Sequence, residues 1–139
     1  KTPGERKEFK KWILNLIYMI WKNFENKFCN LWNQYPEGDG YPSQLFNSNK
    51  NIINIEQKNY LQNIYNDAIG FAGAKIIRRI FGFAHNIDFD WISDDKLRAT
   101  CESKCANLGI EMQINPTKFS DISSLIESAI KLDNDNISF

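Results

Sequence analysis

Apolar residues recur at helical spacing from about Glu5 to Asn33, at Phe9, Trp12, Ile13, Leu16, Ile17, Ile20, Phe24, Phe28, Leu31 and Trp32. That period closes on one face of a single long α-helix. Leu14, Tyr18, Met19 and Trp21 widen the apolar face, as expected of a helix that lies inside a larger assembly. The turn formers from Tyr35 to Pro42 end it, and a loop follows through the polar run Asn47 to Asn51. A second helix is predicted over about Glu56 to Phe83. Ser93 is the candidate N-cap of a third, with Leu97, Cys101, Cys105, Leu108 and Met112 on one face and Pro116 as its stop. Phe119 and Ser120 open a fourth, with Ile122, Leu125, Ile126 and Ala129 inward, before the polar tail Asp133 to Asn136. No strand-like alternation and no internal repeat competes. The fold class is therefore all-α, with four main helices including a long antiparallel pair, read as one domain over residues 1–139.

One stretch of the second helix breaks the pattern. Between Phe71 and His85 a run of small and apolar residues carries two adjacent arginines, Arg78 and Arg79, although only four of the 17 basic residues in the chain are arginine. Indexed at about 100° per residue on a straight helix, Leu61, Ile64, Tyr65, Ala68 and Ala72 form an apolar stripe, and Arg79 projects from its middle. Gly70, Gly73, Ala74 and Ile77 fall on the other side, where small residues let a second backbone approach. On this reading the helix is buried on both sides and Arg79 points inward. An inward guanidinium requires a carboxylate, backbone carbonyls or a bound anion, because a buried charge without compensation costs several kcal/mol. An internal ion pair, a solvated face and an anionic-ligand site all remain open, since the planar fork of arginine suits carboxylate and phosphate equally. Asp88 and Asp90, in the connector after the helix, are the candidate arginine partners; a hard cation or a plain acidic loop are the other uses of that pair.

Composition narrows the function classes. Seventeen basic residues are matched by 17 acidic ones, so there is no basic field for nucleic acid. The longest apolar run, Trp12 to Trp21, is interrupted by Asn15 and is too short to span a bilayer. Three cysteines without paired spacing make no disulfide framework, and Cys101 and Cys105 with a lone histidine, His85, make no zinc set. Reduced core thiols in a cytoplasmic protein are the reading. Gly38 and Gly40 belong to no phosphate-cradling motif and read as turns. The start, Lys1 to Lys7, has neither an initiator Met nor the apolar core of a signal peptide and reads as internal to a longer chain.

The run from Asp67 through Gly70-Phe71-Ala72, Ala74-Lys75-Ile76-Ile77-Arg78-Arg79-Ile80, Gly82 and Ala84-His85, then Asp88, Asp95 and Arg98-Ala99 with Cys101-Glu102, resembles the C-terminal part of 5-methylthioribose kinases. Phe28, Leu31-Trp32 and Gly38-Asp39-Gly40-Tyr41-Pro42 upstream, and Asn115-Pro116 downstream, extend the resemblance over roughly Glu5 to Ala129. It implies the helical C-terminal lobe of a protein-kinase-like fold, related to aminoglycoside and choline kinases. It also implies phosphorylation of the anomeric hydroxyl of 5-methylthioribose in methionine salvage, with ATP and Mg2+ as cofactors of the parent enzyme and homodimers as a common state. The family's twin arginines, which face the sugar and the phosphoryl group in transfer, map onto Arg78 and Arg79 without a gap.

The resemblance stops short of the nucleotide machinery. No nucleotide-covering loop, phosphate-binding lysine, catalytic-loop aspartate or magnesium-binding acidic pair is recognisable. The nucleotide-binding lobe and catalytic loop are expected before Lys1, so that no catalytic, cofactor-binding or metal residue is assigned to this segment, and alone it is expected to be inactive. Its partners would be 5-methylthioribose and the missing N-terminal portion of the same chain. The rival reading is a non-catalytic helical binding module derived from a kinase-like fold, and a third is a purely structural domain in which Arg79 pairs internally with Asp88 or Asp90.

Overall fold

The computed structural model describes residues 3–38, 40–42, 44, 50–83, 87 and 89–134. Its elements are α1 (Pro3–Gln34), a minimal hairpin of β1 (Glu37–Gly38) and β2 (Tyr41–Pro42), α2 (Lys50–Phe81), α3 (Asp95–Ile114), a single 3-10 turn (Pro116–Lys118) and α4 (Ile122–Asn134). This is an all-α architecture of four main helices, two of them 32 residues long. The chain divides into two compact units, residues 1–63 and 64–139, with α2 contributing to both.

In the first unit α1 and the start of α2 run antiparallel, since Phe28 stacks on Tyr60 with ring centroids 5.7 Å apart while Asn33 meets Gln57. Trp32 closes on Tyr60 edge to face and lies 4.9 Å from the Tyr41 ring, which ties the hairpin to the helix pair. The hairpin itself is antiparallel, pairing Glu37 with Pro42 and Gly38 with Tyr41. The Gln57 side chain is only 4% exposed and donates through Nε2 to Asn33 Oδ1 at 2.7 Å. A buried amide needs such a partner, and here it sets the register of the two helices. None of the α1 residues from Glu5 to Gln34 is fully buried. Trp12, Ile20 and Leu31 are each more than half exposed, so the wide apolar face read from the sequence is present and uncovered within the described residues.

The second unit is held by Tyr65, Ile69, Ala106, Met112, Phe119 and Ile122. Along α2 the buried row is Leu61, Tyr65, Ile69 and Gly73, a strict spacing of four. Such a row drifts by about 40° per step around the helix. By Gly73 it has left the straight stripe that runs through Ala72 to Arg79. This is why Arg79 is exposed instead of inward, and why Phe71 and Phe81 also face solvent, so that α2 is not buried on both sides. The small-residue side does admit a second backbone, at Gly73. A Cβ added there would stand 2.5 Å from the Gly109 carbonyl oxygen, 2.9 Å from Met112 Cβ and 3.0 Å from the Gln113 nitrogen. Gly109 is close as well but less tight, with an added Cβ 3.1 Å from the Gly73 carbonyl oxygen and from Ile76 Cγ2, so α2 and α3 cross backbone to backbone. Gly73→Ala should therefore cost about 1–3 kcal/mol, the usual range for overpacking against atoms that cannot yield. Gly70→Ala, three residues away with nothing within 4 Å, should stabilise by up to about 1 kcal/mol through helix propensity. Opposite shifts of the unfolding midpoint for the two variants check the crossing.

Helix ends differ from the sequence expectation by a few residues. The second helix begins at Lys50, inside the polar run expected to be loop. The cap of α3 is Asp94, not Ser93, with its carboxylate accepting from the Leu97 backbone nitrogen at 3.0 Å. In the fourth helix Asp121 accepts from the Ser124 nitrogen at 2.8 Å while Ser124 Oγ accepts from the Asp121 nitrogen at 3.3 Å, a reciprocal cap that starts α4 after the buried Phe119.

Candidate functional site

Arg78 and Arg79 occupy the last turn of α2, where exposed carbonyls give the helix a partial negative end that cations offset. Both side chains are exposed. Adjacent residues diverge by about 100° on a helix, so the two guanidiniums fan outward from one end instead of lining one stripe. The turn is closed by Gly82, whose N–H donates to the Arg78 carbonyl at 2.9 Å. The arginine end of α2 is carried by the Gly73–Gly109 crossing about one and a half turns earlier, so it is fixed to α3 and not to a loop.

Of the candidate arginine partners, Asp90 is an exposed residue of the connecting turn, and its backbone nitrogen donates to Ile87 O at 3.1 Å. Asp88, like His85, lies outside the described residues. Arg98, another basic residue of the sequence pattern, is used locally: its Nη2 meets Asp95 Oδ1 at 2.6 Å and its Nη1 reaches Ile92 O at 3.5 Å, tying the start of α3 to the stretch of chain before it. Among the described residues no group of three or more His, Cys, Asp or Glu is placed to hold a metal ion.

The surroundings of Cys105 and Cys29 disfavour their thiolates. Burial, and to a smaller degree Cys101 beside it, pushes the Cys105 thiol above the usual range, and burial followed by Glu25 does the same to Cys29. A raised thiol pKa means stability that is complete below the unfolded-state value and declines as pH rises through the folded one. Alkylation of Cys105 in the native protein should thus be several-fold slower at neutral pH than in the denatured chain and should accelerate steeply only in the alkaline range. Timed iodoacetamide labelling followed by peptide mass spectrometry reads this directly.

A concavity in the first unit was not anticipated from the sequence. Phe28, Leu31, Trp32, Tyr35, Tyr41 and Tyr60 line an apolar groove of about 620 Å³ in the first unit. The signal was available in Phe28 and Trp32, one turn apart, but their meeting with Tyr60 and Tyr41 depends on tertiary pairing.

No protein-family model matches the chain. Methylthioribose kinase 2 of Oryza sativa subsp. japonica is 37% identical over 134 residues, which is 95% of this chain and 31% of the relative. Methylthioribose kinase of Bacillus cereus (strain G9842) is 34% identical over 118 residues, 84% of this chain and 28% of the relative. Methylthioribose kinase of Escherichia coli O45:K1 is 27% identical over 124 residues, 89% of this chain and 30% of the relative. No helix of the described residues is long and apolar enough to cross a membrane. The chain is an all-α segment that resembles part of a methylthioribose kinase and spans under a third of the length of those relatives.

Proposed function

We propose that this chain is the C-terminal, substrate-side portion of a kinase that transfers the γ-phosphoryl group of ATP to the anomeric hydroxyl of 5-methylthioribose, in methionine salvage. The observation that carries the reading is the pair Arg78 and Arg79, exposed at the end of a helix anchored backbone to backbone on α3, within a segment similar to methylthioribose kinases over 95% of its length. Phosphoryl transfer is chiefly positioning and neutralisation of charge spread over three phosphoryl oxygens. Two guanidiniums offer bidentate donors to those oxygens and to sugar hydroxyls, and arginine stays charged at any working pH. In this role Arg78 and Arg79 bind substrate and stabilise the transferring phosphate, and Asp90, with Asp88, orients them.

The reading assigns ATP and Mg2+ to the remaining two thirds of the kinase, and this segment supplies no step involving either. Covering of the arginine end by that remainder would exclude water and strengthen each guanidinium's effect on the phosphate. Homodimers and a cytoplasmic location belong to the same proposal. The test is phosphorylation of 5-methylthioribose by the full-length protein, with and without the arginines. A folded, ATP-binding protein that leaves the sugar unmodified would leave the non-catalytic helical module as the account.

A further inference from the structure

Gly82 follows α2 directly and sits three residues beyond Arg79. The three atoms nearest to where its side chain would begin all belong to one residue, Arg78. A Cβ built on Gly82 would collide with the Arg78 carbonyl oxygen, and would lie 3.2 Å from Arg78 Cγ and 3.3 Å from the Arg78 carbonyl carbon. Relieving that collision means opening the terminal turn, since the atom met is backbone, and the base of the Arg78 side chain must give slightly as well. The N–H of Gly82 meanwhile donates to the same carbonyl at 2.9 Å. The backbone here is not in the left-handed region, so the requirement for glycine is one of space and not of conformation.

We infer that Gly82 is a positioning residue: by closing the last turn of α2 without a side chain, it sets the direction in which Arg78 presents its guanidinium. The inference rests on the proposed role of the arginines and adds to it a determinant that itself touches no substrate. Displacing a charged donor by about an ångström can cost up to about a hundredfold in rate. A Cβ at Gly82 requires a shift of that order between Gly82 and the Arg78 carbonyl, and the opening of that turn carries the root of the Arg78 side chain with it.

The experiment is a double-variant comparison in the full-length kinase, with Gly82→Ala, Arg78→Ala and both together, and with Gly70→Ala as a control because a Cβ there meets nothing within 4 Å. Turnover is referred to the ATP-competent fraction, counted by nucleotide titration, so that partial misfolding does not imitate the effect. Gly82→Ala is expected to lower kcat tenfold or more, by roughly the loss a misplaced donor causes, with the KM for ATP unchanged. It is expected to add no further loss in the Arg78→Ala background, because residues acting as one unit are not additive. Gly70→Ala should keep wild-type turnover. Wild-type kcat in Gly82→Ala, while Arg78→Ala is impaired, overturns the inference and leaves the arginine reading standing. An undiminished further loss when both changes are combined also overturns it, since Gly82 would then act by another route. Wild-type turnover in Arg78→Ala overturns the arginine reading and this inference with it.

Discussion

Under the proposed function, Arg79→Ala is expected to lower turnover of 5-methylthioribose by the full-length protein by about 10²- to 10³-fold, the loss typical of removing one preorganised donor to developing charge. ATP binding is expected to be nearly unchanged, because the proposed role places Arg79 on the sugar and the moving phosphate. The size follows from the setting. In the segment by itself the residue is exposed to solvent, where a charge pair contributes little. Once the rest of the kinase and the substrate cover the end of α2, the same charge acts at low effective dielectric and needs no reorganisation as the phosphoryl group moves. Arg79→Lys should recover only a small part of the loss, because an ammonium retains the charge but not the fork that holds two oxygens at once. Steady-state kinetics with each substrate varied in turn separate the two contributions. Wild-type kcat in Arg79→Ala would remove the catalytic role of the pair.

The second large effect concerns the first helix. Expressed as the 139-residue segment, the protein should bind an apolar-surface dye strongly and form polydisperse aggregates, whereas the full-length kinase of the proposal should bind little dye and sediment as one defined species. The cause is the face of α1, where Trp12 is 55%, Ile20 61% and Leu31 55% exposed, beside Phe9, Leu16, Ile17, Met19 and Phe24. A contiguous apolar strip along a 32-residue helix exceeds what soluble monomers ordinarily leave open. Paired charged substitutions at Trp12 and Ile20 should suppress dye binding and association of the segment and should damage folding of the full-length kinase. Sedimentation and dye fluorescence read both. A monodisperse segment without dye binding would instead favour the self-contained helical module.

The two long helices were legible because their apolar period runs over many turns, and α3 and α4 because Pro116 separates two further apolar-periodic runs, although the cap of α4 is Asp121 and not Phe119 or Ser120. What the pattern did not give was the direction of Arg79. Straight indexing placed it on the Leu61 stripe, but the helix buries an i, i+4 row that rotates toward Gly73, and which row is buried depends on where α3 crosses. The start of α2 at Lys50 escaped because Asn-rich sequence is neutral to helix formation and context decides it. Gly82 escaped for a related reason: the apolar pattern carried the helix on to Phe83, and only the fold shows that α2 ends at Phe81 and that a Cβ on Gly82 would meet Arg78. What spacing could not supply came from the resemblance: the proposal that Arg78 and Arg79 meet the sugar and the phosphate rests on it, in a chain 37% to 27% identical to methylthioribose kinases.

The most direct test of the central claim is to capture the native polypeptide that carries this segment and follow the transfer of labelled γ-phosphate from ATP to 5-methylthioribose. The account predicts one phosphate transferred per ATP consumed, by a polypeptide about three times the 16.2 kDa of this segment, as the 31% coverage of its rice relative implies. A polypeptide of that kind that binds ATP and leaves 5-methylthioribose unphosphorylated would contradict it.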